Sequence, residues 1–251
     1  VMLTATIGGG KGGTGKTTLT RNIAPILARR GRVLVIDADS QGGLTLASGI
    51  TAPPYTLADV LLAKRSLRGA ALEAGPFHII PAGRALAEAE LAIAGKIGRE
   101  SILKRALATV AADYDMVLID SGPSLGLMSV NALAASDGVV CVVRPQAQDL
   151  AALGEYMTTV SEIQAAINPT LTVIGIVANE YSTQLNHHAE ALEVLKTQTG
   201  APMLGTVGRS VRLAEASAQG LALADYDKGN DRVSEIEAIA RGIERWQRKQ
   251  Q

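Results

Sequence analysis

The stretch Gly8-Gly9-Gly10-Lys11-Gly12-Gly13-Thr14-Gly15-Lys16-Thr17-Thr18 decides how the rest of the chain is read. An apolar run, Met2 to Ile7, precedes it with the pattern of a short buried strand. A helix-competent segment, Leu19 to Arg30, follows. Strand, glycine-rich loop and helix, in that order, make a phosphate-binding P-loop. Gly10 to Thr17 spells Gly-x4-Gly-Lys-Thr in full. The glycines let successive backbone N–H groups curl round an anion with no Cβ in the way, and the helix presents its positive end to the same anion. Phosphate contacts therefore fall to Gly12, Gly13, Thr14, Gly15, Lys16, Thr17 and Thr18. Lys16 reaches the β- and γ-phosphate oxygens, and the Thr17 hydroxyl ligates Mg²⁺.

Working outward, apolar runs rich in β-branched residues alternate with helical patterns along the whole length. That alternation predicts an α/β fold: a doubly wound, mainly parallel sheet with helices on both faces. Strands are expected near 2–8, 32–37, 76–81, 115–120, 138–143, 171–178 and 203–207. Helices are expected at 19–30, 86–95, 99–111 and 232–249. No long linker, low-complexity tract or internal repeat interrupts the pattern, so residues 1–251 are expected to form a single domain. Aromatics make up 3% of the residues against 47% hydrophobic in all, so the core must be built from Ala, Val, Ile and Leu.

Two further strand ends carry carboxylates, where ligands bind in open α/β sheets. One strand runs into Asp37-Ala38-Asp39-Ser40-Gln41-Gly42-Gly43, the other is Asp115 to Asp120. Read alone, the first is also an ordinary Asp/Ser/Gly turn and Asp120 also a helix N-cap. Beside a P-loop they supply what Mg²⁺ and an attacking water require, namely oxygen ligands.

The second lysine in the loop, Lys11, gives Lys-Gly-Gly-Thr-Gly-Lys-Thr-Thr, which resembles the deviant P-loop of the ParA/MinD family of ATPases. The resemblance runs through Asp37 to Gly43, similar to a first switch Asp-x-Asp-Pro-Gln-Gly-Asn, and through Asp120 to Gly126, similar to a second switch Asp-x-Pro-Pro-Ser-Leu-Gly. Ser40, Gly43 and Gly122 depart from it, and Gly122 is expected to loosen the second switch. By this resemblance Lys11 crosses a dimer interface to the other subunit's ATP and acts with Lys16 in catalysis. Asp39 positions or deprotonates the water, and Asp37 and Asp120 support Mg²⁺. Asn179, at a strand end, is implied to contact adenine, though such an asparagine is also plain turn chemistry. Val207-Gly208-Arg209-Ser210-Val211-Arg212-Leu213 resembles the stretch Ile-Pro-Arg-Asn-Val-Arg-Leu that lines the base pocket. Gly208 stands for its proline and Ser210 for its asparagine.

Composition narrows the function. With 24 basic and 24 acidic side chains the formal charge is zero, so any hold on nucleic acid must come from a local patch. The single Cys141 excludes an intramolecular disulfide and an iron–sulfur cluster held within one subunit, and its apolar surroundings predict an inert core thiol. No run reaches the roughly 18 apolar residues of a membrane span, and no signal peptide is recognised before the first strand. A cytoplasmic, nucleoid-associated protein is expected. Without carboxylates at ligand spacing, His187 and His188 are expected to be exposed helix residues.

The resemblance places Arg209 and Arg212 where DNA-binding relatives carry phosphate-contacting arginines. On the last helix, Arg241, Arg245, Arg248 and Lys249 share one side, opposite Ile236, Ile239, Ile243 and Trp246. A basic side is as readily a solvated face as a sequence-neutral phosphate tracker. The function implied is a ParA-type ATPase for DNA partitioning, a homodimer with ATP that binds non-specific double-stranded DNA. A ParB-like centromere-binding protein would stimulate release. The alternative, a MinD-like membrane-cycling ATPase, needs a C-terminal amphipathic tail. Too little apolar bulk follows Ile243, so no membrane partner is expected.

Overall fold

Residues 1–250 are described by the computed structural model. Eight strands form one sheet: β1 (Leu3–Gly8), β2 (Val33–Ala38), β3 (Leu72–Ala74), β4 (Phe77–Ile80), β5 (Met116–Ser121), β6 (Gly138–Val143), β7 (Thr172–Tyr181) and β8 (Met203–Gly208). Their order is β3-β4-β2-β5-β1-β6-β7-β8, and only β3 runs antiparallel, against β4. Strand β1 is central. The chain winds outward from it on one side through β2 to β3 and β4 at the edge, returns to β5 beside β1, and then winds outward on the other side through β6 to β8. The crevice at the carboxyl end of such a strand is where open α/β sheets bind ligands.

Every residue of β1, β2, β5 and β6 is buried. Strands covered on both faces read as unbroken apolar runs rather than as alternation, which made them legible. One face is covered by the first helix, Lys16–Leu27, and the last, Asp231–Gln250, through Leu19, Ile23, Leu27, Ile236, Ile239 and Ile243. The other is covered by helices that include Leu127–Ala134 and Ala147–Ala166. Trp246 anchors the last helix. Its ring lies where a side chain on Gly138 would sit, and its Nε1–H donates to Thr172 Oγ1 at 3.1 Å.

Three expectations need correction. The first helix starts at Lys16, because Gly15 at φ 97° sets its N-cap, and it stops at Leu27. Arg29 and Arg30 therefore lie in the turn beyond, not in its last turn. Strand β3 was not foreseen; at three residues, Leu-Glu-Ala, it is too short and too poor in β-branched residues to signal itself. His188 is buried, with its Nδ1 accepting the Ser182 N–H at 3.0 Å and its ring against His187 and Tyr181. Cys141 is buried as expected, and burial pushes its thiol up to about 12, so it stays protonated. Among the described residues no helix is long and apolar enough to cross a membrane.

Candidate active site

A pocket of about 600 Å³ opens at the carboxyl ends of β1, β5, β7 and β8. Its walls come from Gly12, Gly13 and Gly15 to Thr18 at one end and from Asn179, Gly208 and Ser210 at the other, with Asp39 and Gln41 above. The folded chain thus gathers residues up to 202 positions apart in sequence, Gly12 and Ala214, round one cavity of ligand size.

The loop's glycines are packing requirements. A Cβ on Gly8 would strike the Tyr156 ring, one on Gly9 the Val142 carbonyl, and one on Gly10 the Ala152 carbonyl. The first half of the loop is thereby pressed against β6 and the Ala147–Ala166 helix. Gly13 and Gly15, at φ 73° and 97°, turn the second half over the start of the first helix. The buried Lys16 ammonium donates to the Lys11 carbonyl at 2.9 Å, and Thr14 is buried beneath the loop. Burial holds the Lys16 pKa below its ordinary value, against the pull of Asp120 and Asp39.

Beneath the loop, Thr17 Oγ1 donates to Asp120 Oδ2 at 2.7 Å. Asp37 and Asp120 are register partners on β2 and β5, both buried. Desolvation pushes both carboxyls up, Asp120 to about 8 with repulsion from Asp37 adding to it, and Asp37 to about 6 with a smaller push from Asp39. Two buried acids beside a threonine hydroxyl form a donor set that suits a small hard cation. Asp37 is otherwise engaged: it accepts from Thr45 N at 2.9 Å, Thr45 Oγ1 at 2.7 Å and Asp39 N at 3.2 Å. Its carboxylate therefore stands behind Thr17 and Asp120, tying down the segment that carries Asp39. Among the described residues no three His, Cys, Asp or Glu side chains form a closed metal cage. That fits an ion held largely by phosphate and water.

Asp39 lines the pocket, its Oδ1 accepting the Gln41 N–H at 2.9 Å. Gly122 has a reason of its own here. A Cβ on it would stand 3.3 Å from the Asp39 carboxyl carbon, so the loop after β5 leaves room for the segment that carries Asp39.

Lys11, next to Gly12 of the pocket wall and 35% exposed, is held within its own chain: Nζ is 2.6 Å from Asp149 Oδ1 and 3.3 Å from Gln148 Oε1. Asp149 is fully buried and also receives Arg144 Nε at 2.6 Å. These two cations hold the Asp149 carboxyl below the ordinary range although burial pushes it up. The opening turn of the Ala147–Ala166 helix, whose sequence suggests an interface role by resemblance, is thus tied to the loop through Asp149, a contact the sequence did not reveal.

At the other end, Asn179 Nδ2 donates to the Thr14 carbonyl at 2.8 Å and lies over Gly15, so β7 reaches back to the P-loop. Ser210 Oγ accepts from Arg212 N at 3.2 Å and caps the Val211–Ala218 helix. Glu180, next to Asn179, lines the pocket at φ 55°, a left-handed conformation unusual for a residue with a Cβ. Nothing in its sequence pattern marked it.

The basic residues do not share one surface. Arg209 edges the pocket, and Arg212 is paired with Glu215 at 2.8 Å. Arg241, Arg245, Arg248 and Lys249 lie toward the far end of the last helix, where Gln247 donates to the Asp115 carbonyl beneath the sheet. Arg241 stands 3.7 Å from Glu237. Among the described residues Arg245, Arg248 and Lys249 have no carboxylate within 4.0 Å.

Comparison with known proteins bears on this geometry. A family model described as AAA domain (AAA_31) matches residues 2–173. The chromosome-partitioning ATPase Soj of Thermus thermophilus is 37% identical over 220 residues, covering 86% of this chain and 85% of that one. The sporulation initiation inhibitor protein Soj of Bacillus subtilis is 36% identical over 225 residues, covering 86% and 88%. The crystal structure of cobyrinic acid a,c-diamide synthase from Mycobacterium smegmatis with bound ADP and magnesium superposes with a TM-score of 0.89 at 26% identity. That superposition covers 100% of this chain and 97% of the other.

Proposed function

The chain belongs to the Soj/ParA-type family of P-loop ATPases, and on that premise we propose that it is a DNA-partitioning ATPase whose ATP-bound homodimer holds non-specific duplex DNA. The observation that carries the reading is the Thr17–Asp120 pair at 2.7 Å under a glycine loop, with Asp39 in the wall of the same pocket.

In this reading Lys16 and the N–H groups of Gly12 to Thr18 take the negative charge of the β- and γ-phosphates. Thr17 and Asp120 would hold Mg²⁺, with Asp37 bracing them, and the bound ion would supply positive charge against the phosphates. Asp39 orients the attacking water and accepts its proton. A bond forms from the water oxygen to the γ-phosphorus while the bond to the ADP oxygen breaks. Lys11 of a second copy adds charge from across the interface. Within one chain Lys11 rests on Asp149, so docking must open that pair, and Arg144 stays behind to neutralise the buried carboxylate. Asn179, Gly208 and Ser210 face the adenine.

DNA is held by Arg209, Arg212, Arg241, Arg245, Arg248 and Lys249, and a ParB-like centromere-binding protein accelerates hydrolysis and release. The split of these cations between two ends of the fold favours contacts to phosphate, which need no fixed pattern, over reading of bases. The test is retention on random-sequence duplex with ATP, ADP or no nucleotide. Retention confined to ATP and lost as salt rises is expected. Equal retention in all three states would count against nucleotide control, and pelleting with anionic vesicles but not DNA would move the protein to the membrane-cycling class.

A further inference from the structure

Gly208 ends β8 in the pocket wall, and its backbone lies outside the left-handed region, so glycine's conformational freedom is not what the position needs. What occupies the space of a side chain is Arg232: a Cβ on Gly208 would meet its guanidinium, which would have to swing aside. The Gly208 N–H donates to Glu235 Oε2 at 2.9 Å, and that same oxygen is 2.9 Å from Arg232 Nε. Asp231 Oδ2 stands 3.7 Å from the other side of the guanidinium. Both gripping residues come from the first turns of the last helix, a segment otherwise remote from the phosphates.

We propose that Arg232 and Glu235 are positioning residues for the nucleobase. Glu235 fixes the Gly208 peptide by a charge-assisted hydrogen bond, and the Arg232 guanidinium packs over its bare Cα. Together they hold the 208–210 wall in place before the base arrives. The inference rests on the nucleotide reading given above. A glycine at a strand end is free to move unless its neighbours hold it, and a wall already ordered spares the ligand the entropy of ordering it. The grip touches the base end of the pocket only, so its loss should weaken a ligand with a base and leave a bare phosphate chain alone.

Calorimetric titration with ATP and with inorganic triphosphate, each with Mg²⁺, separates the two ends. Arg232→Ala is expected to raise the Kd for ATP about fivefold, the scale of one lost hydrogen bond or its equivalent. The Kd for triphosphate should stay within about twofold. Gly208→Ala, which pushes the guanidinium aside without removing it, should reproduce the effect, and the two changes together should cost no more than either. Glu235→Gln, which keeps an acceptor for the Gly208 N–H, should retain more affinity than Glu235→Ala. Unchanged ATP binding in Arg232→Ala and Gly208→Ala overturns the proposal, as does equal weakening of ATP and triphosphate. Should the unaltered protein bind neither ligand, the nucleotide reading itself falls, an outcome recognisable before any variant is made.

Discussion

The two ends of the pocket are built differently. The phosphate end is contiguous sequence, Gly8 to Thr18, laid over the middle of a sheet and backed by acids that the central strands β2 and β5 bring together. The end proposed for the base is assembled from β7, β8 and the last helix by side chains reaching across: Asn179 to Thr14, Arg232 and Glu235 to Gly208. One end depends on backbone shape and buried charge, the other on side-chain props. Charge buried in the centre is costly to remove, whereas a prop at the margin costs about one hydrogen bond.

The largest effect expected from that contrast is at Lys16. Lys16→Ala leaves Asp120 and Asp39 without their nearby cation and should weaken ATP binding by about a hundredfold or more. Asp39→Ala, in the same wall, should lower turnover by about a hundredfold while ATP affinity changes little. Titration and phosphate release on the same samples check both. Normal hydrolysis by the Asp39 variant would remove that residue from its assigned role.

The acids make a second test through pH. In the folded protein without metal, Asp37 and Asp120 titrate near 6 and 8, above their unfolded values. The fold therefore binds more protons than the unfolded chain. The stability these two groups contribute is fully present below about pH 4 and fades as pH rises through about 6 and then 8. Metal-free protein should melt several degrees lower at pH 8.5 than at pH 6, by roughly 5 °C, and Asp120→Asn should flatten the slope. Mg²⁺ with nucleotide should flatten it also, by stabilising the charged acids. A melting temperature that rises over this window contradicts the assignment.

The smallest expected effect is at the margin. Asn179→Ala removes the bond to the Thr14 carbonyl and should weaken ATP binding about fivefold. A loss as large as that from Lys16→Ala would mean the two ends are one cooperative unit, and the contrast drawn here would fail.

The fold class, seven of the eight strands and the phosphate loop were legible in the chain alone. Strands buried on both faces must be apolar throughout, and a loop that wraps phosphate must be glycine-rich, so both requirements are written locally. Lys11 stood out by its position, but its resting place on Asp149 did not, because that pair spans 138 residues and Asp149 by itself reads as the acid in a helix's opening turn. The props at Gly208 were invisible for the same reason. An arginine in the first turn of a helix looks solvated until the strand it leans on is known. Sequence determined what repeats along the chain or must be contiguous. Tertiary structure alone decided which distant charge neutralises which, because the cost of burying an ion depends on its neighbours in space and not on its neighbours in order.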